Sequence, residues 1–344
     1  MDNQQNRTEI AQLGEFGLIR KIKSLANQNI DTIKGIGDDA AVFKVNRENV
    51  LVSTDFLIEN IHFDLTYTPL KHLGYKAAIV NFSDIYAMNG TPKHITVSIA
   101  ISNRFSVEAI ETLYSGIQLA CEKHGVDIIG GDTTSSEKGL IISITVIGEA
   151  NQKDIVYRNG AKPGDLIAVT GNLGAAYMGL HILQREKAVF IANPEMQPEI
   201  NTDNAYLVER FLKPENPRSF IQFINNEDIK LTSMMDVSDG LSSELLHIAE
   251  QSNVGFEVFE AQIPIHPNTE AIAEQFKMDP TTCALNGGED YELLFTFDPA
   301  FESNFESFEG ITIIGSIKPK DFGTKLHSKG KNLYDIKAQG WKSF

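Results

Sequence analysis

The sequence predicts a two-domain protein of mixed α/β (α+β) class, and three observations support this. At 344 residues the chain is long enough for two domains with separate cores. Apolar strand-like runs alternate with helical stretches, the pattern of a layered helix-and-sheet architecture. The polar stretch NQKDIVYRNGAKPGD at 151–165 carries Pro163-Gly164 and marks a junction, which divides the chain into domains 1–150 and 151–344.

The first domain opens with a helix from Glu15 to Ala26 and a polar loop. Val50-Leu51-Val52-Ser53-Thr54-Asp55 is β-rich and ends in polar groups, so Asp55 is expected near a strand end. Tyr75 to Met88 is apolar on nearly every side and stops at Asn89-Gly90, reading as a largely buried helix. Ser83 and Asp84 lie inside it. A buried ionised carboxylate is costly unless paired or metal-bound, which makes Asp84 the most telling residue of this half. Ser106 is placed to cap a further helix bearing Ile110, Leu113, Ile117 and Ala120, with Gly125 closing it. Val126 to Ile129 then runs as a strand into Gly130-Gly131-Asp132, and Leu140 to Ile147 reads as another.

The second domain begins with the strand DLIAVTG from Asp165, a turn at Gly171 and Gly174, and a helix through Leu183. Residues 193–218 are polar and contain Pro194, Pro198, Pro214 and Pro217, reading as a surface excursion. Met234-Met235 leads into Asp236-Val237-Ser238-Asp239-Gly240 and a helix marked by Leu241, Leu245 and Ile248. Tyr291 to Phe297 reads as a strand directly after Gly287-Gly288. Both domains share a loose theme of strand, acidic turn and helix, a hint of duplication.

Composition narrows the function. Hydrophobic content of 42% with 22% charged residues is ordinary for a folded chain. The net charge of −16, from 30 basic against 46 acidic residues, argues against binding to nucleic acid or an anionic membrane. A nucleotide would meet the same repulsion unless cations bridge it to the protein. Cys121 and Cys283 form no CxxC motif or disulfide framework. The N-terminus lacks the apolar core of a signal peptide, and no apolar run approaches membrane-spanning length, so a cytoplasmic location is expected.

The chemistry is carried by short acidic motifs: Gly37-Asp38-Asp39, Ser53-Thr54-Asp55, Ser83-Asp84, Gly130-Gly131-Asp132-Thr133, Asp236 to Gly240 and Gly287-Gly288-Glu289-Asp290. Most lie at the end of an apolar run or beside a glycine turn, where a side chain can point into a cleft. Mg²⁺ is held by carboxylates together with substrate phosphates, so the motifs suggest a phosphate-handling metal site. The loop GxxxxGK[ST] does not occur, the turn Gly171-Asn172-Leu173-Gly174 fails the GxGxxG spacing, and kinase-type, HExxH and EF-hand motifs are absent. The 8 histidines have no metal-ligand spacing.

GIGDDAAVF, STDFLIENIHF, NFSDIYAMNGTP, GGDTT, RNGAKPGD, MDVSDGL and GGEDYELLF occur in the order and approximate spacing of the thiamine-monophosphate kinases. The chain thus resembles that family, part of the aminoimidazole ribonucleotide synthetase and selenophosphate synthetase superfamily, from about residue 14 onward. The resemblance implies a homodimer whose N-terminal domains pair into a barrel-like sheet, with a C-terminal α/β domain completing each active site. It implies phosphorylation of thiamine monophosphate by ATP, assisted by several Mg²⁺ ions and giving thiamine diphosphate. By the same resemblance Asp38, Ser53, Thr54, Asp55, Asp84, Asp132, Asp236 and Asp239 correspond to the metal shell. Tyr114, Gly131, Asp132, Arg158 and Ser238 correspond to nucleotide contacts, and His62, Glu289 and Trp341 to contacts with thiamine monophosphate. The acceptor phosphate oxygen is already anionic, so no general base is expected. Charge neutralisation around Asp55, Asp84, Asp132 and Asp236 would carry the chemistry.

Taken singly, each motif has an ordinary structural explanation. Asp38-Asp39 fits a solvated turn, Ser53 and Thr54 a polar strand end, Asp84 a core ion pair, Gly130-Gly131 a tight turn, and Asp236 to Gly240 a helix cap. Tyr114 fits a half-buried helix residue, Arg158 and Glu289 surface charges, His62 a packed ring, and Trp341 a hydrophobic anchor. Other ATP-dependent members of the superfamily are the nearest rivals. Selenophosphate synthetase needs an N-terminal reactive Cys, and the hydrogenase-maturation relative needs a C-terminal one; the chain carries neither. A catalytically silent Mg-nucleotide-binding protein is the rival from another class.

If Trp341 stacks on the substrate, Trp341→Ala raises the KM for thiamine monophosphate more than that for ATP. Steady-state kinetics with each substrate varied in turn check this, and equal changes in both constants contradict it.

Overall fold

In the computed structural model, which describes residues 15–25, 30–34, 42–196 and 202–337, the chain forms two units. One spans Met1–Ile85 and Gly90–Lys153; the other spans Tyr86–Asn89 and Asp154–Phe344.

The first unit begins with helix α1 (Glu15–Leu25) and a two-stranded ribbon, β1 (Thr32–Lys34) and β2 (Val42–Phe43). Strand β3 (Asn49–Ile58), helix α2 (Leu70–Ala87), strand β4 (Thr91–Ile101), helix α3 (Val107–His124), strand β5 (Asp127–Ser135) and strand β6 (Ile141–Ala150) follow. Helix α2 contains no proline and breaks where Asn89 takes a left-handed φ of 57°. The Ser106 hydroxyl caps α3 by accepting the Ala109 N–H at 3.3 Å, and Gly125 at φ 72° ends it. The two helices meet backbone to backbone. A Cβ on Gly74 would lie 2.0 Å from the Leu113 carbonyl oxygen, and one on Gly116 1.9 Å from that of Lys71.

The sheet has the order β3-β6-β4-β5, antiparallel except for the parallel β4–β5 pair. Leu51 and Leu57 on β3, with Val97, Ile99, Ile142, Ile144 and Val146 on the inner strands, are buried. The alternate residues of β3 form an open face, where Val50, Val52 and Phe56 are 46%, 65% and 60% exposed. Two local expectations change. Strand β3 continues past Asp55 because Phe56-Leu57-Ile58 pair with Ser143, Ile142 and Ile141, so Asp55 lies within the strand. Gly130-Gly131-Asp132 is likewise strand rather than turn. Gly131 packs so closely on β4 that a Cβ would stand 1.9 Å from the Val97 carbonyl.

The second unit contains β7 (Leu166–Thr170), α4 (Ala175–Ala192), α5 (Thr202–Leu212), α6 (Arg218–Asn226), β8 (Leu231–Asp236), α7 (Leu241–Ser252), β9 (Gly255–Phe259), α8 (Pro267–Gln275), α9 (Pro280–Asn286), β10 (Leu293–Phe297), α10 (Glu302–Phe305), β11 (Ile311–Lys318), β12 (Thr324–His327) and β13 (Leu333–Asp335). Its strands form one sheet in the order β13-β12-β9-β11-β7-β10-β8, with β12–β9 the parallel pair. Both faces are covered, which suits the wholly buried β10. Leu241, Leu245 and Ile248 of α7 join Leu294, Val169 and Phe256 on one side. Phe220 and Phe223 of α6 join Phe295, Phe297, Phe305 and Phe308 on the other.

The expected surface excursion at 193–218 is a packed element for much of its length. Pro194 and Pro198 precede α5, and Pro214 and Pro217 follow it, so none interrupts the apolar spacing of Leu207, Val208 and Phe211. A Cβ on Gly179 of α4 would lie 2.1 Å from the Leu207 carbonyl, which measures how closely α5 sits. Among the described residues neither sheet closes on itself, and no helix is long and apolar enough to cross a membrane.

Candidate functional site

In the first unit the alternation of β3 directs Ser53 and Asp55 toward α2, the helix that carries Asp84. The Ser53 hydroxyl donates to Asp84 Oδ2 at 2.5 Å. The Asp55 N–H turns outward from the sheet edge and donates to Asn81 Oδ1 at 3.2 Å, while Asn81 Nδ2 donates to the Ala77 carbonyl. Asn81, one turn before Asp84 on a buried helix face, thereby fixes the Asp55 backbone against α2. Burial, with the neighbouring Asp84 charge adding to it, raises the Asp55 carboxyl to about 6. Two carboxylates held this way repel each other until a cation or a proton intervenes.

Thr54 points to the opposite, open face, where its hydroxyl donates to the Ile144 carbonyl and accepts from Thr145. Asp132 is exposed on β5 at the far edge of the sheet. Its register runs through Ser98 and Ser143 to Phe56, so it shares the open face with Thr54, roughly 14 Å from β3 at three interstrand steps. Gly131 precedes it there. Tyr114 is buried in α3, with its phenol pushed well above its ordinary range by burial. Asp38 and Trp341 lie outside the described residues. Within the described residues, no group of three or more His, Cys, Asp or Glu side chains could hold a metal ion.

His62 follows β3 in a tight turn in which its Nδ1 accepts the Ile58 N–H at 3.0 Å. Acceptance at Nδ1 places the proton of the neutral ring on Nε2, so the ring's outer nitrogen is a donor. The turn is braced by buried Glu59, which accepts from the Leu140 N–H at 2.8 Å and pairs with Arg104.

In the second unit the motifs at 236–240 and 287–292 form one structure. Asp236 ends β8 and pairs with Leu293 of β10. The Glu289 N–H donates to the Ser238 carbonyl at 2.7 Å, the Tyr291 N–H to Val237 at 3.0 Å, and the Val237 N–H to Glu292 at 2.8 Å. Asp236 is buried, Ser238 and Glu289 are half-buried, and Asp239 is exposed. Burial chiefly raises the Asp239 carboxyl, with Glu289 adding to the rise and His247 opposing it. Arg158 is exposed on the chain leading into this unit.

Two side chains that hold these loops, Glu244 and Arg210, lie outside the sequence motifs. Glu244 of α7, 1% exposed, accepts from the Ser238 and Asp239 N–H groups at 3.1 and 2.8 Å, and burial pushes its carboxyl up to about 7. Glu289 and Tyr291 both hold left-handed φ values, 60° and 52°, at a cost on the order of 1–2 kcal/mol each. Asp290 between them is fully buried and accepts from the Gly174 and Ala176 N–H groups at 2.6 and 3.2 Å. The N-terminus of α4 is therefore occupied by a carboxylate of the chain itself, the interaction a phosphate makes at glycine-rich helix starts. Arg210 of α5 donates to the Asp290 carbonyl at 3.0 Å and to Glu292 at 2.9 Å. The sequence signal that could have found Arg210 is the apolar periodicity of α5.

Family models match both units: the AIR synthase related protein N-terminal domain over residues 37–150 and its C-terminal domain over 162–307. A thiamine-monophosphate kinase of Bacillus subtilis is 37% identical over 83% of both chains, and one of Aquifex aeolicus 32% identical over 97% of this chain and 99% of the relative. The solved structure of AaThiL complexed with AMPPCP and TMP superposes with a TM-score of 0.75 at 31% identity, covering 99% of this chain and all of that one. Hydrogenase maturation protein HypE, at 18% identity and a TM-score of 0.68, shares the fold.

The raised Asp55 carboxyl has a stability consequence. Its folded value, about 6, exceeds the ordinary 3.8, so the native state keeps a proton that the unfolded chain releases in between. Stability therefore falls as pH rises through that window and stays lowered above it. In chelator-treated buffer Asp55→Asn should melt above the wild type at about pH 8, the gap shrinking by about pH 4. Thermal melts at both pH values check this, and a variant no more stable at the higher pH contradicts it.

Proposed function

We propose that this chain, which belongs to the thiamine-monophosphate kinases of the AIR synthase related family, transfers the γ-phosphoryl group of ATP to thiamine monophosphate. The observation that carries the reading is the Ser53–Asp55–Asp84 constellation, in a chain that aligns over nearly its full length with enzymes of that name. In the transfer a phosphate oxygen of thiamine monophosphate forms a bond to the γ-phosphorus. The bond from that phosphorus to the β–γ bridging oxygen breaks, and ADP leaves. The acceptor oxygen carries no proton to remove at neutral pH, so no side chain has to act as base.

The acid pair fits a divalent cation by the chemistry of its donors: two carboxylates and a hydroxyl, all hard oxygens, with the charge on Asp55 uncompensated. Asp55 and Asp84 would hold Mg²⁺ there; the family pattern separately assigns to metal Asp132, on the opposite face of that sheet, and Asp236 and Asp239 of the second unit. Bound Mg²⁺ supplies positive charge that offsets the repulsion between two phosphate groups. The chain's own residues orient and hold. Ser53 holds the Asp84 carboxylate, Asn81 holds the Asp55 backbone, the Ile58 N–H orients the His62 ring, and the 236–240 and 287–292 loops set Ser238 and Glu289. Arg158 offers a guanidinium to a phosphate.

The open face of the first unit's sheet supports a homodimer. Val50, Val52 and Phe56 form an exposed apolar row on an edge strand, a surface that a second copy would cover.

ADP release measured with and without thiamine monophosphate tests the reaction: formation only with the acceptor is expected, and acceptor-independent or absent ADP formation overturns it. Asp84→Asn should abolish transfer while the far-UV circular dichroism stays unchanged, and near-normal turnover at moderate Mg²⁺ would refute its role. Phe56→Glu should sediment as a monomer where the wild type sediments as a dimer; a variant that still sediments as a dimer removes this face from the interface.

A further inference from the structure

The substrate-side loop of the second unit is strained, and one cation outside every recognised motif holds it. Gly288 through Tyr291 run with successive irregular dihedrals. Gly288, Glu289 and Tyr291 all lie at positive φ, and a Cβ on Gly288 would stand 2.5 Å from the Ser238 carbonyl. Such a backbone relaxes unless the surroundings over-determine it. The residues flanking the strain are pinned from two sides. Asp290 is tied by its carboxylate to the start of α4, and Glu292 accepts the Thr170 hydroxyl at 2.6 Å. Gly171 makes room for Glu292, since a Cβ there would lie 2.2 Å from its Oε1. A further clamp comes from α5, where a single nitrogen of Arg210 donates both to the Asp290 carbonyl and to Glu292 Oε1, bridging the two sides of Tyr291. The guanidinium is largely buried, at 14% exposure.

We propose that Arg210 is a positioning residue for thiamine monophosphate: by clamping residues 290–292 it holds Glu289 in the arrangement the acceptor substrate meets. The proposal rests on the function proposed above. Arg210 acts through the Asp290 carbonyl and the Glu292 carboxylate, so its effect on the substrate is indirect. That effect separates the two substrates. Glu244 holds Ser238 and Asp239, whereas Arg210 acts on the residues that follow Glu289.

The test uses the full chain as wild type, Arg210→Lys, Arg210→Met, and Arg210→Met combined with Glu292→Gln. The double variant removes the carboxylate charge that Arg210 pairs directly, and so distinguishes positioning from simple charge pairing. In Arg210→Met the backbone amides of residues 288–292 should exchange hydrogen about tenfold faster, with those of β7 and β8 unchanged. The KM for thiamine monophosphate should rise about tenfold while the KM for ATP stays within about twofold. Arg210→Lys, keeping one donor and the charge, should fall between wild type and Arg210→Met. The double variant should recover the wild-type melting temperature yet keep the raised KM and the fast exchange. Unchanged exchange at 288–292, or a double variant in which KM and melting temperature recover together, overturns the proposal. If the wild type forms no ADP from thiamine monophosphate, the functional reading fails, and the exchange measurement alone still decides whether Arg210 holds the loop. Should Arg210→Met not fold, the double variant and Arg210→Lys decide the matter by the same two readouts, exchange and KM.

Discussion

Repulsion between Asp55 and Asp84 is the constraint around which the first unit is arranged. A carboxylate pair inside a protein is held together only if the elements bearing it are stabilised by something else. Here the surrounding core does that. Helix α2 is buried along most of its length, its glycine lets α3 approach backbone to backbone, and β3 is paired along its whole length with β6. Ser53 donates to the Asp84 carboxylate, and Asn81 holds the backbone of Asp55. The raised Asp55 carboxyl records the stability given up there above its ordinary range.

The second unit meets a different demand by similar means. Its loops at 236–240 and 287–292 must hold unfavourable dihedrals, and buried acids secure them: Glu244 takes two backbone N–H groups, and Asp290 takes two more from the start of α4. Asp290 also accounts for the absence of a nucleotide fingerprint around Gly171 to Gly174. The turn resembles a phosphate-binding loop in composition, but its Gly171, Leu173 and Gly174 N–H groups already donate within the chain. In this unit the acidic residues divide into those that can face a ligand and those, Asp290, Glu292 and Glu244, that serve as internal acceptors. A count of carboxylates alone does not separate the two classes.

Sequence patterning located the elements well where one physical signal dominated. Ser106 and Gly125 bounded α3 because cap chemistry is local. Leu241, Leu245 and Ile248 marked α7 because helical spacing has few competitors. It failed where a local signal was outweighed. Gly130-Gly131 carried a turn signature, yet β4 offers a backbone groove that only glycine can enter, and the strand runs on. The prolines around 193–218 suggested a loop, although they merely bracket a helix whose apolar face was present all along.

By itself the sequence determined the mixed two-domain class, the family, and which carboxylates are candidates for a site, since residue order and cap chemistry are one-dimensional properties. Tertiary structure decided which of those groups meet. It brought Ser53, Asp55 and Asp84 together, turned Thr54 and Asp132 to the other face of the sheet, and introduced Asn81, which holds β3 in the first unit, and Glu244 and Arg210, which hold the loops of the second. The reason is geometric: strand register and helix packing set side-chain direction and neighbours across many residues of chain separation, and neither is written in any local motif.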